Sequence, residues 1–219
     1  MKKTRYPRET AMQMADVFTE AIIPVCGNHV IGGSIRREKS MVGDIEILAV
    51  PNYREEEVRE DLFTWNTVQH CLLEEKLRKM ADAGHIEPRH KSDGSLISWL
   101  RDDAQKRYIA MWFHAAGARI PLDLFIIRQD RLDWWGWHLL LRTGPGDANQ
   151  ALVTPGHKYG LKPSDILIQK GIVYKHGKPY PLRTEQAVFD TWDMHYVPPR
   201  QRSIEAYQNA RKPLDPELR

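Results

Sequence analysis

Apolar residues at Met12, Ala15, Val17, Phe18, Ala21 and Ile22 recur at helical spacing, so residues 10–23 are predicted to form a helix with one buried face. Residues 29–31 and 44–50 read as strands, the second with Ile45, Leu48 and Val50 apolar and Asp44 and Glu46 interposed, ended by Pro51. Residues 53–80 are charge-rich: Glu55, Glu56 and Glu57 are expected on a solvated face, and Val68, Leu72, Leu73, Leu77 and Met80 continue as a helical pattern. Residues 85–103 show no period and read as an irregular insertion. Residues 108–114 and 118–127 are two strands joined through Gly117, a hairpin signal.

Beyond this point the texture changes. Trp134, Trp135 and Trp137 are the densest aromatic cluster and are expected to anchor two packed layers. Residues 143–149 form a turn opening a short helix, with Asp147 as its expected N-cap and Pro155 and Gly156 as its stop. Short strands over 166–168 and 172–174 and a helix over 184–192 complete the pattern. The predicted fold class is α+β: a mixed β-sheet flanked by helices over residues 1–138, followed by a small α/β subdomain over 139–219.

Composition narrows the class without fixing it. The 219 residues are 42% hydrophobic and 28% charged, the profile of a globular chain able to bury a core. A net charge of +3 permits a nucleic-acid partner without demanding one. No apolar run approaches the roughly 20 residues of a membrane span, and the start of the chain lacks the apolar stretch of a secretion signal, so a cytoplasmic location, in a nucleoid or a host cytosol, is expected. Cys26 and Cys71, the only cysteines, are expected to be reduced thiols.

The chemistry concentrates in one stretch. Gly32, Gly33 and Ser34 form a small-residue turn whose backbone N–H groups and hydroxyl suit phosphate oxygens, and Asp44 follows ten residues past Ser34. Asp44 and Glu46, two apart on a strand, project from one face. Such a pair alone is ordinarily the wet face of a sheet. The nearby turn, Arg36 and Arg37, and Asp123 inside the apolar strand ARIPLDLFII point instead to a divalent-metal site for phosphoryl or nucleotidyl transfer. Magnesium takes hard oxygen ligands, neutralises a triphosphate and lowers the pKa of an attacking hydroxyl. Two ions are expected, with manganese as an alternative. Asp44 and Glu46 would bind both, and Asp123 chiefly the one holding the hydroxyl. Ser34, Arg37 and the backbone at Gly43 would hold the phosphates, the arginine through its forked donors.

These segments resemble the nucleotidyltransferase superfamily to which DNA polymerase β belongs, and within it the X family of DNA polymerases. Arg5-Tyr6-Pro7-Arg8-Glu9, Met12-Gln13-Met14, Gly33-Ser34-Ile35-Arg36-Arg37 and Gly43-Asp44-Ile45-Glu46 are similar to that family's palm segments in order and spacing. Thr143-Gly144 with Asn149 resembles its nucleotide-facing turn and helix, and Val188-Phe189 through Tyr196, Pro199 and Arg202 its closing segment. The resemblance implies a nucleotidyltransferase palm and a DNA-directed DNA polymerase that adds deoxynucleoside triphosphates to a primer 3′ end in short-gap repair. The implied partner is DNA, as primer-template or gapped duplex, and a monomer is expected. Arg5, Gly33, Ser34, Arg37 and Gly43 fall on the triphosphate-binding positions. Asp44, Glu46 and Asp123 fall on the metal ligands, and Thr143, Gly144 and Asn149 on contacts to the sugar and base.

Several departures qualify the match. Residues 51–106 match poorly. No room precedes Arg5 for a lyase domain, so lyase activity is not expected. Leu141-Arg142 stands where the family carries Tyr-Phe, and template contacts are reduced to the candidates His157 and Lys158. A template-independent or RNA-directed nucleotidyltransferase is the alternative. Pro145 after the Thr-Gly turn predicts a cis Gly144–Pro145 bond, since proline reduces the cis cost from about 3 to about 0.5–1 kcal/mol.

Overall fold

A computed structural model describes residues 4–61, 63–100, 108–115, 117–156 and 160–213. The chain forms two compact units, one drawn from Met1–Ile31 and Met41–Gln129, the other from Gly32–Ser40 and Asp130–Arg219. It is a mixed α+β structure. Among the described residues no helix is long and apolar enough to cross a membrane.

The first unit is built on a mixed five-stranded sheet. Strand β1 (Tyr6–Pro7) leads into helix α1 (Arg8–Ile22), whose buried stripe is Ala11, Met14, Ala15, Phe18 and Ile22. Val17 falls off that stripe and is exposed. Strand β2 (Cys26–Ile31) pairs antiparallel with β4 (Ile45–Pro51), and β3 (Met41–Val42) pairs with β1. Strands β8 (Tyr108–Ala115) and β9 (Ala118–Ile126) form the expected antiparallel pair, and β9 lies parallel to β4. With β7 (Ile86–Pro88) on one edge, the order is β2-β4-β9-β8-β7. One face of the sheet is apolar throughout: Ile45, Ile47, Leu122, Leu124, Ile109, Met111 and Phe113 are buried, and Phe113 meets Phe18 edge-on, ring centroids 5.3 Å apart.

Three expectations change in this unit. The helix expected to begin near Val68 begins at Leu72: α3 (Leu72–Asp82) buries Leu73, Leu77 and Met80. The residues before it form a ribbon, β5 (Tyr53–Arg59) against β6 (Trp65–Cys71), with Val68 in the second strand. Trp65, Thr67 and Val68 favour a pleated strand, and cross-strand pairing outweighs the short apolar period that suggested a helix. The segment expected to be irregular supplies β7, and its backbone continues along β8, Ser98 accepting from the Ala110 amide. Cys26 and Cys71 are free thiols; burial, with Cys71 nearby, pushes the Cys26 thiol up to about 12.

The second unit is mainly helical. It contains the short α2 (Gly33–Arg36), α4 (Trp135–Thr143), α5 (Gly146–Val153), α6 (Glu185–Thr191) and α7 (Ile204–Asn209). A small antiparallel sheet joins them, β10 (Ile166–Gln169), β11 (Ile172–Lys175) and β12 (Lys178–Pro179). Trp134 and Trp137 are core residues, as their clustering predicted: Trp137 stacks on Trp192, and Trp134 Nε1 donates to the Tyr180 carbonyl at 2.9 Å. Thr184 caps α6, accepting from the Ala187 amide at 3.1 Å. Asp147 is not an N-cap. Pro145 holds that place, and Asp147 sits in the first turn of α5, accepting from the Ala148 amide.

Candidate functional site

The parallel pairing of β4 with β9 decides where the acidic residues fall. Glu46 lies directly opposite Asp123, and in a parallel pair such partners project from the same sheet face. Asp44 lies two residues before Glu46, just ahead of the strand. Their neighbours in sequence, Ile45, Ile47, Leu122 and Leu124, are fully buried on the other side, so period-two alternation leaves the carboxylates only one direction to point. From Leu48 onward the carboxylate-bearing face is buried as well. The acidic patch is therefore confined to the start of β4.

Asp123 has two donors on one oxygen. Arg89 Nη1 reaches its Oδ1 at 2.5 Å, and Tyr108 Oη donates to the same atom at 3.0 Å. The sheet explains how Arg89 arrives there. Its backbone amide donates to the Ala110 carbonyl, and Ala110 is the register partner of Asp123. The guanidinium crosses β8 above a residue that has only a methyl side chain. Nothing in the sequence marked Arg89, which lies just past β7 in a stretch without period.

Arg5 and Gly43 also come together in this unit. The antiparallel pairing of Tyr6 with Val42 sets Arg5 across from Gly43, immediately before Asp44. A cavity of about 220 Å³ opens there, lined among others by Tyr6, Gly43, Arg89, His90 and Trp112.

Oxygen ligands from adjacent strands on one face match a hard divalent cation in donor chemistry and in register. Among the described residues, however, no three His, Cys, Asp or Glu side chains are close enough together to hold an ion. An ion shared by Asp44, Glu46 and Asp123 would take the place of the Arg89 guanidinium on Asp123.

The remaining predicted positions belong to the second unit. Gly33 and Ser34 open α2, Gly33 at φ 59°. The turn they form is short, and its arginines face inward. Arg36 makes a bidentate pair with Glu185, at 2.8 and 2.7 Å, and donates to Thr143 Oγ1 at 2.6 Å. Arg37 Nη1 donates to the Thr143 carbonyl. Arg202 adds a third guanidinium, 2.8 Å from Glu185. Burial alone would raise the Glu185 pKa, but hydrogen bonds from Arg36 and Arg202 outweigh it and hold the carboxyl below its ordinary value. Arg36 was noted in the sequence beside the Gly-Gly-Ser turn, but Glu185 and its contact with Arg36 were not. An acid in the first turn of a helix is usually explained by the helix dipole alone.

Gly144 follows with φ 72° and ψ −162°, a region open essentially to glycine. A Cβ there would stand 2.7 Å from Arg37 Nη1. The Gly144–Pro145 bond is cis, as the proline predicted. Asn149 spends its amide locally: Nδ2 donates to the Leu141 carbonyl at 2.6 Å, while Oδ1 is buried with no hydrogen-bond partner among the described residues. His157 and Lys158 lie outside the described residues.

No protein-family model matches this chain, and no curated protein matches it significantly.

Proposed function

We propose that the chain is an X-family-like DNA polymerase whose first unit, a nucleotidyltransferase palm, carries the carboxylates and whose second unit carries the Thr143–Gly144 turn. The observation that carries this reading is the register of β4 with β9, which sets Glu46 beside Asp123, with Asp44 just ahead of the strand. Magnesium bound by these residues would polarise the primer 3′ hydroxyl and neutralise the charge that builds on the phosphates. Bond formation from the 3′ oxygen to the α-phosphorus then releases pyrophosphate. Arg5 and the Gly43 backbone are the phosphate-directed groups of the first unit, and Ser34 and Arg37 those of the second. Tyr6, Trp112 and Arg89 around the cavity at Gly43 offer a nucleotide aromatic surface and positive charge, the two features that nucleotides ordinarily find in proteins.

Leu141-Arg142 before the turn favours a second reading, a template-independent or RNA-directed transferase of the same chemistry. Extension of a labelled primer by each single nucleotide, with and without template, separates the two. Template-matched addition in magnesium supports the polymerase, and addition blind to the template supports the alternative. Asp44→Ala should lower extension by about 10⁴-fold, about 5.5 kcal/mol of barrier. Undiminished extension by that variant would remove the carboxylates from the mechanism.

A further inference from the structure

The β5–β6 ribbon carries a surface that the proposed catalysis does not use. Among the described residues its strands pair only with each other, which leaves both long edges open, and residues 54–61 and 63–69 are exposed. A two-stranded ribbon is marginally stable in water, and an open edge is a template for a further strand. Hydrogen bonds to Asp61 tie its tip together. Asp61 accepts from the Phe63 amide at 2.7 Å, from the Thr64 amide at 2.8 Å and from the Thr64 hydroxyl at 3.1 Å. That turn holds Phe63 out at 92% exposure, near Trp65 at 60%. Val58 and Val68 add exposed apolar surface on the opposite face.

Charge decides what could cover it. The ribbon bears Glu55, Glu56, Glu57, Glu60 and Asp61 against Arg54 and Arg59, on a chain whose net charge is +3. Phosphate backbones are repelled by such a surface, and so is a second copy of the same ribbon. A cationic chain is attracted. We propose that the ribbon is a docking arm for an extended lysine- and arginine-rich segment of another protein. The segment adds as a third strand along β5, paired by backbone hydrogen bonds, with its basic side chains on the face of Glu55 and Glu57 and its apolar ones beside Val58 on the opposite face. The docking role stands whether or not the chain is a polymerase.

The test uses the full chain and a fluorescein-labelled peptide of alternating lysine and valine, with a glutamate-valine peptide as control, followed by anisotropy. The lysine peptide is expected to bind, to slow amide exchange along β5, and to weaken about tenfold in a Glu55→Gln, Glu56→Gln, Glu57→Gln triple variant and again in Val58→Ser. These side chains are exposed, so circular dichroism and melting of the variants should match the unaltered protein. Absence of lysine-peptide binding, equal binding of the glutamate peptide, or equal affinity in the variants overturns the proposal. So does either of two losses in the variants: a concentration-dependent dimer in sedimentation, which would make a second copy the occupant, or binding of a labelled oligonucleotide.

Discussion

Each unit of this protein holds a cluster of arginines and carboxylates, and the two clusters differ in how deeply they are buried. In the first, Glu46 and Asp123 share one sheet face, and the Arg89 guanidinium lies against Asp123. In the second, Arg36 and Arg202 converge on a single carboxylate, Glu185, while Arg37 holds the Thr143 carbonyl nearby. The first arrangement stays partly exposed, with Arg89 at 18% and Asp123 at 16% exposure, so a cation from solvent can reach it. The second has positive charge to spare and is enclosed, Glu185 at 6% exposure and Arg202 at 0%. Residues of the same chemical types thus serve an exchangeable contact in one place and a fixed one in the other. What separates them is the depth of burial.

The comparison can be broken by altering each cluster in turn. Glu185→Ala strands the buried Arg202 charge and should destabilise the protein by about 3–5 kcal/mol, read as a lower urea midpoint. Because the folded-state pKa of Glu185 is depressed, its stabilising contribution is present above the ordinary value of 4.5 and lost as pH falls through the lower folded value. Urea titrations carried from neutrality to below that value should show an acid-side loss in the unaltered protein that Glu185→Gln lacks. Gly144→Ala forces a Cβ toward Arg37 at a backbone conformation other residues avoid, and should cost about 1–3 kcal/mol by the same measurement. The smallest change is expected at the exchangeable cluster. Arg89→Met removes the cation that competes for Asp123 and should tighten manganese binding about tenfold, roughly 1.4 kcal/mol, followed by electron paramagnetic resonance without nucleotide. Unchanged affinity would mean that Arg89 and the ion do not compete.

The sheet was readable from sequence wherever burial imposed a pattern. Ile45, Ile47, Leu122 and Leu124 alternate with Glu46 and Asp123, and only a strand places those two sets on opposite faces. The ribbon escaped because neither of its faces is buried, so no apolar alternation records its register, and glutamates disguise β5 as a solvated run. Helix α4 escaped for another reason: Trp134 and Trp137 advertised packing but not the backbone that delivers them. Arg89, Arg36 and Glu185 acquire their roles from contacts between segments distant in sequence, which no local spacing encodes. Glu185 illustrates the point, since its two arginine partners come from α2 and from the segment preceding α7.

Strands β4 and β9 are spatial neighbours, yet the ribbon, α3, β7 and β8 all lie between them along the chain. Backbone hydrogen bonds, rather than the connecting polypeptide, fix Glu46 beside Asp123. The intervening stretch is thereby a tolerant insertion zone: lengthening, trimming or replacing the ribbon between Tyr53 and Cys71 should leave that juxtaposition intact, so accessory features can diversify there without disturbing the acidic face.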